Sequence, residues 1–352
     1  MDGLLSAFES LFSVRPFCLM MLGTALGITV GAIPGLTGAM LIAVTLPLTF
    51  AMGGSDAMVL LVSMYVGSIS GGLITATLLR IPGTPASIMT TLDGYPLAQQ
   101  GRPGRALGLG ICASFVGGLI SWFFLVGLSR PIARWSIELL GPYECFSLIL
   151  MAMVLMASVS GRSITKGMFS GFLGILLAMP GLSPSTGELR LTFGFTELSD
   201  GFKLLPVLIG MFAVNQIIRD IIEIEQEGTV VRMSRRGMLM SLADWKRQAV
   251  NLLRSSLIGT WVGILPGIGA NIGSAMAYSA AKNFSAHPEK FGHGAEEGVV
   301  SSEAANNATI GGALIPLIAL GIPGSVIDAI LLGALVIHGL QPGPLLFQND
   351  PH

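Results

Sequence analysis

Four short stretches bring a helix breaker next to small hydroxyl or amide side chains. They are Pro34-Gly35-Leu36-Thr37-Gly38, Ile81-Pro82-Gly83-Thr84-Pro85-Ala86-Ser87, Pro266-Gly267-Ile268-Gly269-Ala270-Asn271-Ile272-Gly273-Ser274 and Ile322-Pro323-Gly324-Ser325. Where a helix restarts after such a break, its first N–H groups are free and carry a partial positive charge. That end attracts a carboxylate without any basic side chain. The candidate substrate-binding residues are therefore Gly35, Thr37, Gly38, Gly83, Thr84, Ser87, Gly267, Gly269, Asn271, Ser274, Gly324 and Ser325. The competing reading is structural: glycines let helices pack closely, and hydroxyls cap helix ends.

Glu303-Ala304-Ala305-Asn306-Asn307-Ala308-Thr309 leads into the last break. The amide carbonyls of Asn306 and Asn307, with nearby backbone carbonyls, suit sodium, a hard cation that takes oxygen ligands. Interhelical hydrogen bonding is the alternative use of the same amides. Arg80, Asp328 and His338 are single ionisable residues at or inside apolar windows, where such groups tend to be functional. Arg80 can meet a carboxylate or snorkel to the interface. Asp328 can hold a cation or a proton, and His338 can titrate. Cys18, Cys112 and Cys145 have no CxxC spacing and no histidine cluster, and are expected as small buried hydrophobes. No resident cofactor or metal is expected.

The elements that must position these residues follow from composition. Of 352 residues, 52% are hydrophobic and 11% charged, with a mean hydropathy of +0.74. A soluble domain carries about 25% charged residues, so most of this surface does not face water. The net charge of −1 gives no sign of nucleic-acid binding. Windows free of Asp, Glu, Lys and Arg run over 16–55, 57–79, 106–129, 145–161, 167–187, 204–218, 255–281, 304–327 and 329–349. A membrane-spanning helix needs about 20 apolar residues, and hydrocarbon demands that the backbone bond to itself. About nine to eleven membrane segments are expected, some of them half-helices or re-entrant hairpins. Pro34-Gly35, Pro266-Gly267, Pro316 and Pro323-Gly324 interrupt them.

The chain also repeats itself. Val30–Gly35 (VGAIPG) matches Val262–Gly267 (VGILPG), and Gly71-Gly72 with Ile81–Thr84 matches Gly311-Gly312 with Ile322–Ser325. Arg102-Pro103-Gly104 matches Gln341-Pro342-Gly343 in the same order. The expected fold is an all-α polytopic membrane protein of two homologous repeats with broken or re-entrant helices. Residues 1–16 form an amphipathic lead-in without signal-peptide features, and 17–222 the first repeat. The segment 223–254 is a basic loop that the positive-inside rule places in the cytoplasm. Residues 255–352 form the second repeat, which reads as cut short at its C-terminus. A second polar stretch, 282–303, reads as a loop.

Paired Gly/Pro-interrupted segments point to a secondary transporter and its binding site. An intramembrane enzyme is the first competitor, but HExxH, GxGD and a rhomboid-like GxSG are absent, so no enzyme is expected. A channel or a non-transporting membrane scaffold is the alternative, weakened by the paired breaks.

VGAIPGLTGAM, RIPGTPAS with DGYPLA, VGILPGIGANIGSAMAYSAAK, and SSEAANNATIGGALIPLIALGIPGS with LLGALVIHGLQPGP closely resemble the TctA family across about 30–343. Its members are the large permease subunits of tripartite tricarboxylate transporters. The resemblance implies a bacterial inner-membrane symport permease for citrate-like tricarboxylates or related carboxylates, driven by sodium. It implies two partners, a small four-helix membrane subunit and a periplasmic solute-binding protein. Two departures stand out: relatives run to about 500 residues, and they often carry a small polar residue where this chain has Arg80.

Overall fold

The computed structural model describes residues 2–139, 164–182, 188–199 and 237–343, with scattered single positions between them. Most of the windows 145–161 and 204–218, and the arginines Arg232, Arg235 and Arg236, lie outside the described residues. The described chain is all-α apart from one antiparallel pair, β1 (Gly181–Leu182) with β2 (Leu189–Arg190). The helices are α1 (Asp2–Leu11), α2 (Val14–Gly31), α3 (Gly38–Thr45), α4 (Gly54–Leu78), α5 (Ile88–Gln99) and α6 (Pro103–Leu139). They continue as α7 (Ile164–Ala178), α8 (Leu242–Ile264), α9 (Gly269–Phe284), α10 (Glu296–Leu320) and α11 (Val326–Ile337). Of these, α2, α4 and residues 103–135 of α6 are long and apolar enough to cross a bilayer. Shorter apolar helices cover 38–51, 165–178 and 326–337.

The exterior is apolar, and carboxylates, amides and hydroxyls are buried among the apolar side chains of the interior. Phe115, Phe123, Trp135, Val250, Trp261 and Phe284 are exposed, whereas Ser68, Thr77, Asp93, Glu303, Asn306 and Asp328 are fully buried. An apolar exterior on this scale suits a lipid environment, not water. Without a hydrophobic drive between helices in lipid, close approach through small residues holds them together. A methyl group built on Gly27 of α2 would lie 2.5 Å from the Met64 carbonyl oxygen of α4, and one on Gly31 2.1 Å from that of Ser68. On α8, a methyl on Gly259 would lie 2.3 Å from the Ala305 carbonyl oxygen of α10, and one on Gly263 2.5 Å from that of Thr309. The second set of contacts follows the first at an offset of 232 residues on the leading helix and 241 on the trailing one.

Helix α10 is the central element. It packs against α5, α6, α8 and α9, and nearly every residue from Gly298 to Leu317 is buried. Pro316 does not split it, contrary to the expectation of a break there. The helix loses one bond at the proline and runs on to Leu320, where Gly321 closes it in the left-handed conformation (φ 72°). Two loop expectations are also shortened. Residues 242–254, expected in the basic loop, are the opening turns of α8. Ser241 and Asp244 cap it reciprocally, a Ser-x-x-Asp form of the capping box. The polar stretch 282–303 is a loop only between Phe284 and Glu296. Cys18 is exposed on α2 and Cys112 half-buried, because the outer face of a membrane helix is as apolar as a core.

At the polar end, Arg105 of α6 grips the Asp244 carboxylate with both terminal nitrogens (2.8 and 2.5 Å) and also reaches Glu296 of α10 (2.9 Å). Arg102 (2.6 Å) and Arg247 converge on the same Glu296. This cluster ties the ends of α6, α8 and α10, and Arg105 holds the Asp244 carboxyl well below the usual carboxylate range, with help from Ser241.

Candidate functional site

The four predicted interruptions occur as helix breaks. Residues 32–37 separate α2 from α3, 79–84 separate α4 from the short 3-10 turn Pro85–Ser87 that runs into α5, 265–268 separate α8 from α9, and 321–325 separate α10 from α11. They meet as a ring. The Gly267 N–H donates to the Gly324 carbonyl (2.9 Å), joining the third break to the fourth. Ile327 just after the fourth break lies against Gly38 just after the first: a methyl built on Gly38 would come within 3.2 Å of its Cδ1. Gly83 of the second break stacks on the Gly31 carbonyl at the end of α2, where a methyl would come within 2.2 Å. The turn Pro85–Ser87 then packs against α9, which starts just after the third break.

Individual residues take distinct parts. Thr37 caps α3 by accepting from the Met40 N–H (3.2 Å), and Gly38 is buried against Ser68. Gly35 sits in the turn with φ 91°, a conformation that suits glycine alone. Ser87 donates to the Thr84 carbonyl (2.9 Å), and the Thr84 N–H donates back to the Ser87 hydroxyl (3.3 Å). Both are buried. Gly267 (φ 81°) and Gly269 (φ 75°) shape the third break. Asn271 is exposed on the first turn of α9, while Ser274, one turn on, is buried and donates to the Ser302 carbonyl (3.2 Å). Ser325 caps α11 by accepting from the Asp328 N–H (3.3 Å), and its hydroxyl lies 3.4 Å from that of Tyr65.

The two amides diverge. Asn307 Oδ1 accepts from Ser70 of α4 (2.9 Å), while the Asn306 amide is buried near Glu303 and among the described residues meets no partner in full hydrogen-bond geometry. Arg80 is exposed, adopts a positive φ of 60°, and places its guanidinium 5.8 Å from the centre of the Tyr95 ring. His338 Nε2 is 2.9 Å from the Thr49 hydroxyl, away from the ring of breaks.

Several polar residues had no assigned role in the sequence reading. Glu303 lies fully buried, accepting from Thr90 (2.5 Å) and Ser114 (3.3 Å). Asp93 Oδ1 accepts from the N–H groups of Gly292, Gly294 and Ala295 (2.8–2.9 Å), pinning α5 to the loop before α10. A carboxylate needs such a backbone nest when no cation is at hand. Their partners lie about 190 to 210 residues away in the chain, so only the Asp or Glu in an apolar setting was visible beforehand.

An apolar helical exterior, polar groups buried in the interior and interrupted helices in mutual contact define a multi-pass α-helical membrane protein. The chain belongs to the tripartite tricarboxylate transporter TctA family, whose model matches residues 17–352. It is 36% identical over 330 residues to an Agrobacterium vitis protein described as an uncharacterized 52.8 kDa protein in the TAR-I ttuC' 3' region. That match takes in 94% of this chain and 65% of the relative. A second Agrobacterium vitis protein, from the TAR-II ttuC' 3' region, is 44% identical over 93 residues, or 26% of this chain and 38% of its own length. This chain thus spans less than two thirds of either relative. No solved structure matches it.

Proposed function

We propose that this chain is the permease part of a secondary carrier that imports tricarboxylates or related small carboxylates across the bacterial inner membrane. The observation that carries the reading is the ring of four interruptions. It brings helix starts, glycine backbone and the hydroxyls of Thr37, Thr84 and Ser87 into neighbouring breaks, and Asn271 is exposed on the first turn of α9. Backbone N–H groups at helix ends hold a carboxylate without the desolvation that a buried lysine or arginine would suffer. The recurrence of the α2–α4 contacts in α8–α10 supports two related halves, and rocking of one against the other would expose the ring alternately. Sodium would accompany the anion through Asn306 and Asn307, the former carrying an unpartnered carbonyl. A periplasmic binding protein would deliver the substrate, and a small four-helix membrane subunit would complete the carrier.

The test is uptake of labelled citrate and of dicarboxylates into liposomes holding the chain with both partners. Asn271→Leu should lower the rate by about tenfold or more, consistent with loss of one hydrogen bond to a charged group. Rates equal to wild type would remove Asn271 from the path. Unitary currents in planar bilayers would point to a channel.

A further inference from the structure

We propose that the fourth interruption is a cation seat, built from the Asp328 carboxylate with the hydroxyls of Ser325 and Tyr65, and that it takes no part in holding the anion. Corresponding positions of the second and fourth breaks carry opposite chemistry. Thr84 is followed three residues on by Ser87, whereas Ser325 is followed three residues on by Asp328. In the second break the Ser87 hydroxyl accepts from the Thr84 N–H and donates to the Thr84 carbonyl, and no carboxylate stands at that helix end. In the fourth, a carboxylate sits in the first turn of α11, where it already compensates the partial positive charge of the helix end. An incoming carboxylate would meet a like charge there.

Asp328 is fully buried; Ser325 is its polar neighbour, and among the described residues neither carboxylate oxygen meets a donor in full hydrogen-bond geometry. Among the described residues no basic side chain forms an ion pair with it. A buried carboxylate in that state is stable only with a bound cation or a proton, and the oxygens around this one favour the cation. The surroundings supply neutral oxygens to complete a coordination shell: the Ser325 hydroxyl, and beside it the Tyr65 hydroxyl, itself 3% exposed on α4. One carboxylate among hydroxyls suits a hard monovalent cation. The position also couples the seat to the anion site. Gly324, next to Ser325, accepts from Gly267 of the third break, and Ile327 touches Gly38 of the first, so filling the seat would brace both ends against their partners.

The inference rests on the carrier reading, but equilibrium binding tests it independently of transport. The chain is purified in detergent, and bound radioactive sodium is counted per chain at constant ionic strength, with potassium and choline as controls. Asp328→Asn, which keeps the side-chain shape, should bind one sodium fewer per chain. Tyr65→Phe should retain the ion with affinity lowered several-fold. Unchanged stoichiometry in Asp328→Asn would overturn the proposal. So would a wild-type chain that takes up protons, but no sodium or potassium, at this carboxylate. Intact sodium binding lost in Asp328→Asn, together with no carboxylate uptake by the complete carrier, would sustain the seat and sink the carrier reading.

Discussion

Single residues decide how closely these helices approach. Gly263 is representative: a methyl group there would lie 2.5 Å from the Thr309 carbonyl oxygen and 3.0 Å from the Ala313 nitrogen. Those atoms are backbone and cannot swing aside, so a larger residue must push α8 off α10. We expect Gly263→Val to lower stability by about 1–3 kcal/mol, as overpacking of a tight interface does, read from thermal unfolding in detergent. A melting temperature equal to wild type would mean that the two helices do not pack as described. The spacing Gly259-x-x-x-Gly263 is legible in the sequence as a packing motif. Which carbonyls it meets is not, because Ala305 and Thr309 lie more than forty residues further on.

Helices as units are tied together at the polar end by one ion cluster. Arg105 spans α6, α8 and α10 through Asp244 and Glu296, and its bidentate grip depresses the Asp244 carboxyl. A carboxyl whose proton affinity is lower folded than unfolded stabilises the fold above its unfolded pKa of about 4. That contribution is lost as pH falls through the depressed folded value. The melting-temperature gap between wild type and Asp244→Asn should therefore be constant from neutral pH down to about 5 and shrink below about 4. A gap that is independent of pH throughout that range would show that Asp244 acts only as a cap. The capping pair Ser241-x-x-Asp244 stands in the sequence and marks the true start of α8. Surrounded by Arg232, Arg235, Arg236, Lys246 and Arg247, it read instead as part of a charged loop. Net charge over a window and a helix start signalled by two residues compete, and the cap governs the backbone.

Taken whole, the molecule departs from the soluble arrangement: carboxylates and amides are buried within an otherwise apolar core, and aromatic rings lie on the outside. Trp261 is 59% exposed on α8, whereas Trp245, near the start of the same helix, is half-buried against the cluster of Leu97, Leu109 and Leu252. In single-tryptophan variants reconstituted with lipids brominated on their acyl chains, Trp261 should be quenched strongly and Trp245 weakly. Equal quenching would show that the exposed apolar belt is not the lipid surface.

Composition and spacing alone were enough to establish an α-helical membrane chain and to mark its four breaks, together with a fifth at Pro316 that the helix does not make. Charge-poor windows in hydrocarbon leave the backbone no option but to bond within each helix, and Pro-Gly pairs are local facts. They also marked Thr84, Ser87, Asn271, Ser325, Asn306 and Asn307 as worth watching. What they could not supply was adjacency. The Tyr65–Ser325, Gly267–Gly324 and Gly83–Gly31 contacts form only when distant helices pack, since close approach is a property of two surfaces rather than of either sequence segment. The same holds for the isolation of Asp328: whether a carboxylate finds a partner depends on every element folded around it.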